Sequence, residues 1–317
     1  MSVLSVRLAK KIEETSHICS FEFESPDGAD LPTFEAGAHV DFHLPGGLVR
    51  SYSLCGDPLN QRRYRFGVLR ETQSRGGSLA MHQLQVGDVV SISAPKNLFP
   101  LVQARQHVLL AGGIGITPIL SMAQQLQRES QAFSLHYAAR SMQSAAFLVE
   151  LQQSSFADKV HTHFDDGEVA QRLNLSALIG SAQVGRHLYV CGPQGLIDAA
   201  LSQAQALGWA EDHLHFERFG AQVVPQAGDQ AFTVELQSTG QRFEVPAGQT
   251  VVQVLHAAGV DVPIACEQGV CGTCLTRVVA GVPDHRDMYL TPEEQAANDQ
   301  FTPCCSRSKS AVLTLGI

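Results

Sequence analysis

The sequence predicts a multidomain chain: an antiparallel β-barrel, then an α/β domain on a parallel sheet, then a small α+β domain. Three observations carry this. At 317 residues the chain is longer than one hydrophobic core usually organises, and about 100 to 150 residues per domain gives two or three domains. Near residue 105 the pattern changes from short β-prone stretches broken by turn residues to strands alternating with helices. Five of the eight cysteines lie beyond residue 265, which gives the last part a chemistry of its own.

In the first segment, 1–103, the β-prone stretches are Val3 to Leu8, Ile18 to Phe23, Val40 to Leu44, Tyr64 to Leu69 and Val89 to Ser93. Pro26-Asp27-Gly28, Pro45-Gly46-Gly47 and Gly56-Asp57-Pro58 separate them, and many short strands so punctuated predict a barrel. In the second, 104–222, strands are expected at His107 to Ala111, Phe133 to Ala139, Val160 to Phe164, His187 to Val190 and His213 to Phe219. Helices are expected at Ile119 to Arg128, Ala145 to Gln152, Leu175 to Ile179 and Leu196 to Leu207. Parallel strands need such crossovers, and ligands then bind at the strands' carboxyl ends. Ala221 to Asp229, with Pro225 and Gly228 among small and polar residues, is the expected linker. In the third segment, 230–317, Phe232 to Gln237 and Arg242 to Val245 form a hairpin turned at Thr239-Gly240. The helix Val251 to Ala258 precedes the cysteine loop, and Leu275 to Val279 and Ala311 to Leu315 return as strands.

Hydrophobic residues make up 44% of the chain, yet no apolar run approaches the roughly 18 residues of a membrane span, so no membrane partner is expected. Met1 to Lys11 lacks the basic-then-apolar order of a secretory signal and no lipidation motif closes the chain, so a cytoplasmic location is expected. The net charge of −9 excludes nucleic acid as a natural partner and suits a docking protein with basic patches.

Cys266, Cys271 and Cys274 form C-x4-C-x2-C, and 29 residues separate Cys274 from Cys304. A distant fourth cysteine completes the plant-type 2Fe-2S pattern. Gly269 and Gly272 allow backbone amides to approach the sulfurs closely. A four-thiolate zinc site is the alternative, although zinc knuckles favour paired C-x2-C units and one such pair is present. The fourth ligand is Cys304 or the adjacent Cys305, whichever is not a free or packed thiol.

The strand at His107 runs into Gly112-Gly113-Ile114-Gly115-Ile116-Thr117-Pro118, whose glycines let amides close around phosphate oxygens at a helix N-terminus. Thr117 is placed to cap and Pro118 to open the helix; an ordinary strand-to-helix turn is the alternative. Cys191-Gly192-Pro193 ends a second strand at the same sheet edge, with Cys191 small and uncharged enough to sit beside a nicotinamide, or else simply a core cysteine. In the barrel segment, Arg50-Ser51-Tyr52-Ser53 offers a phosphate partner in Arg50, a flat face in Tyr52 and a hydrogen-bonding group in Ser53. Gly76, Gly77 and Ser78 could present amides to that phosphate; an exposed arginine and a core tyrosine are the commoner reading of such residues.

Taken in order, R-x-Y-S, G-G-I-G-I-T-P, C-G-P and C-x4-C-x2-C resemble the phthalate dioxygenase reductase family over essentially the whole chain. The resemblance implies a flavin-binding β-barrel, an NAD-binding α/β domain and a β-grasp ferredoxin domain, with FMN, NADH and a 2Fe-2S cluster as cofactors. It implies a reductase that serves a Rieske-type oxygenase or demethylase of aromatic compounds, delivering electrons singly. Cys304 then matches the family's C-x-S-R ending with Ser306 and Arg307, and Phe219 of Glu217-Arg218-Phe219 resembles the aromatic that covers the flavin where nicotinamide enters. Cys191, Ser53 and Phe219 are the residues placed around hydride transfer, and Arg140 with Ser141 marks the place where relatives distinguish NADPH from NADH. A reductase for a haem protein or a separate ferredoxin, or a non-enzymatic zinc or cluster protein, are the rival readings. His161 and His163 share a strand face without implying a metal, Asp165 and Asp166 read as solvent-facing, and Arg277, Arg307 and Lys309 are candidate docking charges.

Overall fold

The computed structural model describes residues 3–71, 76–219, 228–264, 267, 269, 272–287 and 289–317. The chain divides into two compact units, Met1–Phe219 and Gly220–Ile317. The expected linker falls almost wholly outside the described residues, as do Cys266 and Cys271.

The first unit opens with seven strands: β1 (Val3–Glu13), β2 (Ile18–Glu24), β3 (Ala38–Leu44), β4 (Leu48–Ser53), β5 (Tyr64–Leu69), β6 (Val89–Ser93) and the short β7 (Lys96–Asn97). They form one antiparallel sheet in the order β4-β3-β6-β1-β2-β5, with β7 on β3. A bridge from Leu54 to Phe66 brings the end of β4 back to β5 and nearly closes a barrel. Closure follows from alternation, because inward residues such as Phe21, Phe23, Phe42, Tyr64 and Phe66 form one buried aromatic cluster. Each such ring contributes about 1.5 to 3 kcal/mol by leaving water. Helix α1 (Gly77–Gln83) packs Met81 into the same core.

Five parallel strands follow: β8 (Gln106–Gly112), β9 (Phe133–Ala139), β10 (Val160–Phe164), β11 (Arg186–Gly192) and β12 (Leu214–Arg218), in the order β10-β9-β8-β11-β12. Helices α2 (Ile116–Arg128), α3 (Leu148–Gln153), α4 (Leu175–Ile179) and α5 (Gln194–Ala206) connect them. Alternation sends Leu109, Leu135, Tyr137, Tyr189 and Cys191 into one core with α2 and the start of α3, and Val108, Leu110, Leu188 and Val190 into another with α4 and α5. Such two-sided burial is why these strands read as near-continuous apolar runs. Because β8 is flanked by β9 and β11, the order reverses there and opens a crevice at the strands' carboxyl ends.

Two helix starts differ from expectation. A 3-10 turn over Gly113–Gly115 leads into α2 at Ile116, so Thr117 and Pro118 lie inside the first turn; Thr117 does not cap but donates its hydroxyl to Ile114 O at 3.1 Å. Helix α3 begins at Leu148 and not Ala145, because Phe147 holds φ at +61°, left-handed backbone that costs a bulky residue about 1 to 2 kcal/mol.

The second unit is a mixed sheet of β13 (Phe232–Leu236), β14 (Arg242–Val245), β15 (Thr276–Ala280), β17 (Gln300–Phe301) and β19 (Val312–Leu315), with β16 (Pro283–Asp284) pairing β18 (Arg307–Ser308) beside it. β13 runs parallel to β19 and antiparallel to β14, and the sheet grips α6 (Val251–Ala257) in a β-grasp arrangement; α7 (Pro292–Ala297) lies before β17. Thr250 and Gln253 form a reciprocal capping box at the start of α6, which buries Val251, Val252 and Leu255 against Phe232, Val234 and Leu313.

Candidate functional site

At the crevice between β8 and β11, two backbone turns meet without intervening side chains. A Cβ at Gly115 would lie 2.2 Å from Cys191 O, and one at Gly192 2.9 Å from Gly112 Cα, so both turns require glycine. The register pairing Cys191 with Ala111 brings Gly113, Gly115, Cys191, Gly192 and Pro193 to one edge, as their positions after two strands implied. Gly113, with φ +53°, has nothing within 4 Å of where its Cβ would stand, so its backbone faces open space. A diphosphate fits such a cradle: bare amides, a following helix start, and room.

Strand β4 carries the barrel motif, and strand alternation divides it. Arg50 and Tyr52 oppose Phe42 and Val40, while Ser51 and Ser53 oppose Asp41 and His39. Ser51 is occupied within the barrel, donating to Asp41 at 2.6 Å, and Lys96 pairs with that buried carboxylate at 2.6 Å. The Arg50 side chain lies against Gly77, where a Cβ would stand 2.4 Å from Arg50 Cγ; the guanidinium therefore reaches the start of α1 beside Gly76 and Ser78. Tyr52 packs on Phe42 at 5.6 Å between ring centres, and burial pushes its phenol up to about 12, so it stays neutral. Among the described residues β4 pairs along its length with β3 alone, which leaves its outer backbone edge available to a ring with donors and acceptors. A flavin mononucleotide fits this set of a phosphate partner, an aromatic wall and an open strand edge.

No local pattern marks Glu217 as a site residue. It is the register partner of Cys191, its carboxylate accepts a hydrogen bond from Ser53 Oγ at 3.3 Å, and it ties the barrel motif to the sheet edge. Desolvation of this half-buried carboxyl pushes its pKa up to about 8. Burial, then the neighbouring Glu217 charge, pushes the Cys191 thiol well up, so it stays a neutral thiol. The signal was available only as an acidic residue two positions from the end of an expected strand, which cannot be told from a surface charge without the register. Phe219, at the end of β12, is 38% exposed.

At the other side of the crevice Arg140 follows β9 and is exposed, and Asp166 N donates to Arg140 O at 3.2 Å. The exposed pair Asp165 and Asp166 thus stands beside Arg140, a proximity hidden in the sequence by 25 intervening positions.

In the second unit Cys274, Cys304 and Cys305 are buried and free. Hydrogen bonding to the Cys274 thiol, then to Cys305, then burial push the Cys304 thiol far up. A buried thiol that resists ionisation among its neighbours needs a cation to become a thiolate, which is the chemistry of a metal–thiolate centre. Cys305, which also meets the Cys304 thiol, turns its Sγ to Thr302 Oγ1 at 3.2 Å and would lie 2.4 Å from a Cβ on Gly269. Gly269 and Gly272 take φ of +72° and +68°, and the Tyr289 ring lies 2.3 Å from where a Gly272 Cβ would be, so the loop accepts glycine alone at both. Cys274 and Cys304 therefore fit as two ligands of a cluster, while Cys266 and Cys271 lie outside the described residues. Among the described residues no three His, Cys, Asp or Glu side chains converge on a metal; His161 and His163 instead pack by His136. Arg307 is no docking charge, being 3% exposed and donating to the carbonyls of Gln249, Gln230 and Pro246; Arg277 and Lys309 are exposed.

No helix of the described residues is long and apolar enough to cross a membrane. Residues 234–309 match the 2Fe-2S iron-sulfur cluster binding domain, and residues 92–214 match the N-terminal domain of dimethylamine monooxygenase subunit DmmA-like proteins. The chain is 56% identical over 302 residues to a vanillate O-demethylase oxidoreductase of Pseudomonas sp. (strain HR199 / DSM 7063), covering 95% of each. It is 39% identical over 317 residues to the phthalate dioxygenase reductase of Burkholderia cepacia, covering 99% of this chain and 97% of that one. The solved structure of phthalate dioxygenase reductase, described as modular for electron transfer from pyridine nucleotides to [2Fe-2S], superposes with a TM-score of 0.79 at 39% identity over 100% of this chain and 98% of that one. The barrel, the parallel sheet with its glycine-lined crevice, and the cluster-binding β-grasp unit, together with this similarity over the full length, show that the chain belongs to the phthalate dioxygenase reductase family.

Proposed function

We propose that the chain is the reductase component of a Rieske-type oxygenase or demethylase of aromatic compounds, carrying electrons from NADH through FMN and a 2Fe-2S cluster to that partner. The observation that carries this reading is the junction of Ser53, Glu217 and Cys191, where the barrel motif touches the carboxyl edge of the parallel sheet. FMN held there would supply a two-electron hydride acceptor able to pass electrons on singly, as a one-electron cluster requires.

The chain's own groups bind, orient and exclude water. Gly113 and Gly115 present amides to the dinucleotide diphosphate, and Thr117 and Pro118 shape the helix start behind them. Arg50, with Gly76, Gly77 and Ser78, holds the flavin phosphate, Tyr52 walls the ring, and the Ser53 hydroxyl faces its edge. Glu217 keeps a proton on its carboxyl near neutral pH and fixes the Ser53 hydroxyl. Cys191, Gly192 and Pro193 form a small, neutral, water-free wall for the nicotinamide, and the exposed Phe219 covers the place where it enters. Asp165 and Asp166 beside Arg140 favour NADH, since two carboxylates accept ribose hydroxyls and oppose a 2'-phosphate. Cys266, Cys271, Cys274 and Cys304 hold the cluster.

The test is an anaerobic visible spectrum before and after one equivalent of NADH. Flavin and cluster absorption that bleach together support the reading. A protein that contains zinc and takes up neither FMN nor iron and sulfide would overturn it, and reduction of a haem protein in preference to a Rieske oxygenase would reassign the partner.

A further inference from the structure

Where β5 of the barrel meets the start of α2, the packing is tighter than a joint between two lobes requires. A Cβ on Gly67 would stand 2.7 Å from Thr117 Cγ2 and 3.0 Å from Phe147 Cζ, so the Thr117 methyl and the Phe147 ring are pressed onto bare strand backbone. Phe147 reaches this place from left-handed backbone, φ +61°, a conformation a phenylalanine keeps only when its surroundings over-determine it. Those surroundings are visible. The Arg65 guanidinium of β5 covers the Phe147 ring at 4.7 Å and pairs with Glu150, in the first turn of α3, at 2.6 Å. Ala146 N donates to the buried Tyr137 hydroxyl at 3.1 Å, which fixes the chain just before Phe147. Thr117 itself is 1% exposed and belongs to the turn that the proposed function assigns to the dinucleotide.

We propose that Phe147 and Gly67 are positioning residues for hydride transfer: they seat Thr117, and with it the Gly113–Gly115 turn, on barrel strand β5, so that the dinucleotide turn keeps a fixed distance from the flavin side of the barrel. The inference rests on the reading of that turn as the NADH site and extends it. A general core role for Phe147 would be met by any buried apolar residue in ordinary backbone. The strained φ, the absent Cβ opposite and the stacked cation together hold one ring at one place against one turn residue.

The test compares wild type with Phe147→Gly, which relieves the backbone and removes the ring, Phe147→Leu, which restores bulk, and Gly67→Ala, which pushes Thr117 away. Three readouts are taken: amide hydrogen exchange at residues 113–117 in the flavin-free chain, the long-wavelength charge-transfer absorbance formed when NADH meets the flavin-loaded chain, and the rate of flavin reduction against the Kd for NADH. Phe147→Gly and Gly67→Ala should exchange faster at 113–117, lose most of the charge-transfer band and slow flavin reduction about tenfold or more at nearly unchanged Kd. A misplacement of about 1 Å can cost about a hundredfold. Phe147→Leu should recover most of the rate. Wild-type band and rate in folded Phe147→Gly or Gly67→Ala would overturn the proposal; should Phe147→Gly not fold, Gly67→Ala decides by the same criteria. A wild-type chain whose bound flavin NADH does not reduce would instead sink the NADH reading itself.

Discussion

Replacing Glu217 with Gln should make the first unit more stable at pH 8 than the wild type while leaving the two equal near pH 4. Glu217 is half-buried at the joint, and desolvation raises its pKa from 4.5 to about 8, partly offset by the hydrogen bond from Ser53. Below pH 4.5 the carboxyl is protonated in both folded and unfolded chains and makes no difference. Between about 4.5 and 8 the unfolded chain ionises while the folded chain keeps its proton, so folding stability falls as pH rises; above 8 both are ionised and the loss is complete. At about 1.4 kcal/mol per pH unit the loss is of order 3 to 5 kcal/mol. Gln does not titrate and keeps an oxygen for Ser53, so the variant lacks this slope, and all other titrations cancel in the difference. Trp209, the only tryptophan, is buried in the first unit and donates to Gly180 O at 3.0 Å, so its fluorescence follows urea unfolding of that unit in the flavin-free chain. Parallel stability curves for the two proteins from pH 5 to 9 would refute the neutral state assigned to Glu217.

Gly115→Ala puts a Cβ 2.2 Å from Cys191 O and should abolish flavin reduction by NADH while FMN content, measured by absorbance, is retained by the barrel. Cys304→Ser should lose the cluster's visible absorption and paramagnetic signal on reduction, whereas Cys305→Ser should keep both; the reverse pattern would exchange the two cysteines' roles. Asp229→Asn leaves Arg286 and Arg307, 14% and 3% exposed at their side chains, short of a counter-charge. The second unit should lose about 3 kcal/mol, read as a faster loss of cluster absorbance in urea. Asp165→Ser with Asp166→Arg should shift the ratio of kcat/KM toward NADPH by tenfold or more, about 1.4 kcal/mol; an unchanged ratio would remove these residues from coenzyme choice.

Much of the molecule was legible because covalent spacing and periodicity carry it. Alternation in the β-prone stretches and the strand–helix rhythm after residue 105 depend on which neighbours a residue has along the chain, and they place the barrel, the parallel sheet and the helix that starts at Val251 correctly. Local rules failed where a distant contact overrules them. The helix expected from Ala145 starts at Leu148 because Arg65 and Gly67, some 80 positions away, hold Phe147 in left-handed backbone. Arg307 reads as a surface charge, yet three carbonyls, two from the turn at Pro246 to Gln249 and one from Gln230, draw it into the second unit.

The sequence by itself determined the chemistry: C-x4-C-x2-C with a distant cysteine, the glycine turn after a strand, and R-x-Y-S are requirements of atoms close together along the chain, and they survive in one dimension. Only the tertiary structure decided which groups meet. Glu217 joins Ser53 and Cys191 through strand register and a contact spanning 164 positions, and Cys304 is separated from Cys305 by which thiol faces Cys274. Both outcomes depend on burial and direction, quantities that exist only once the chain has folded.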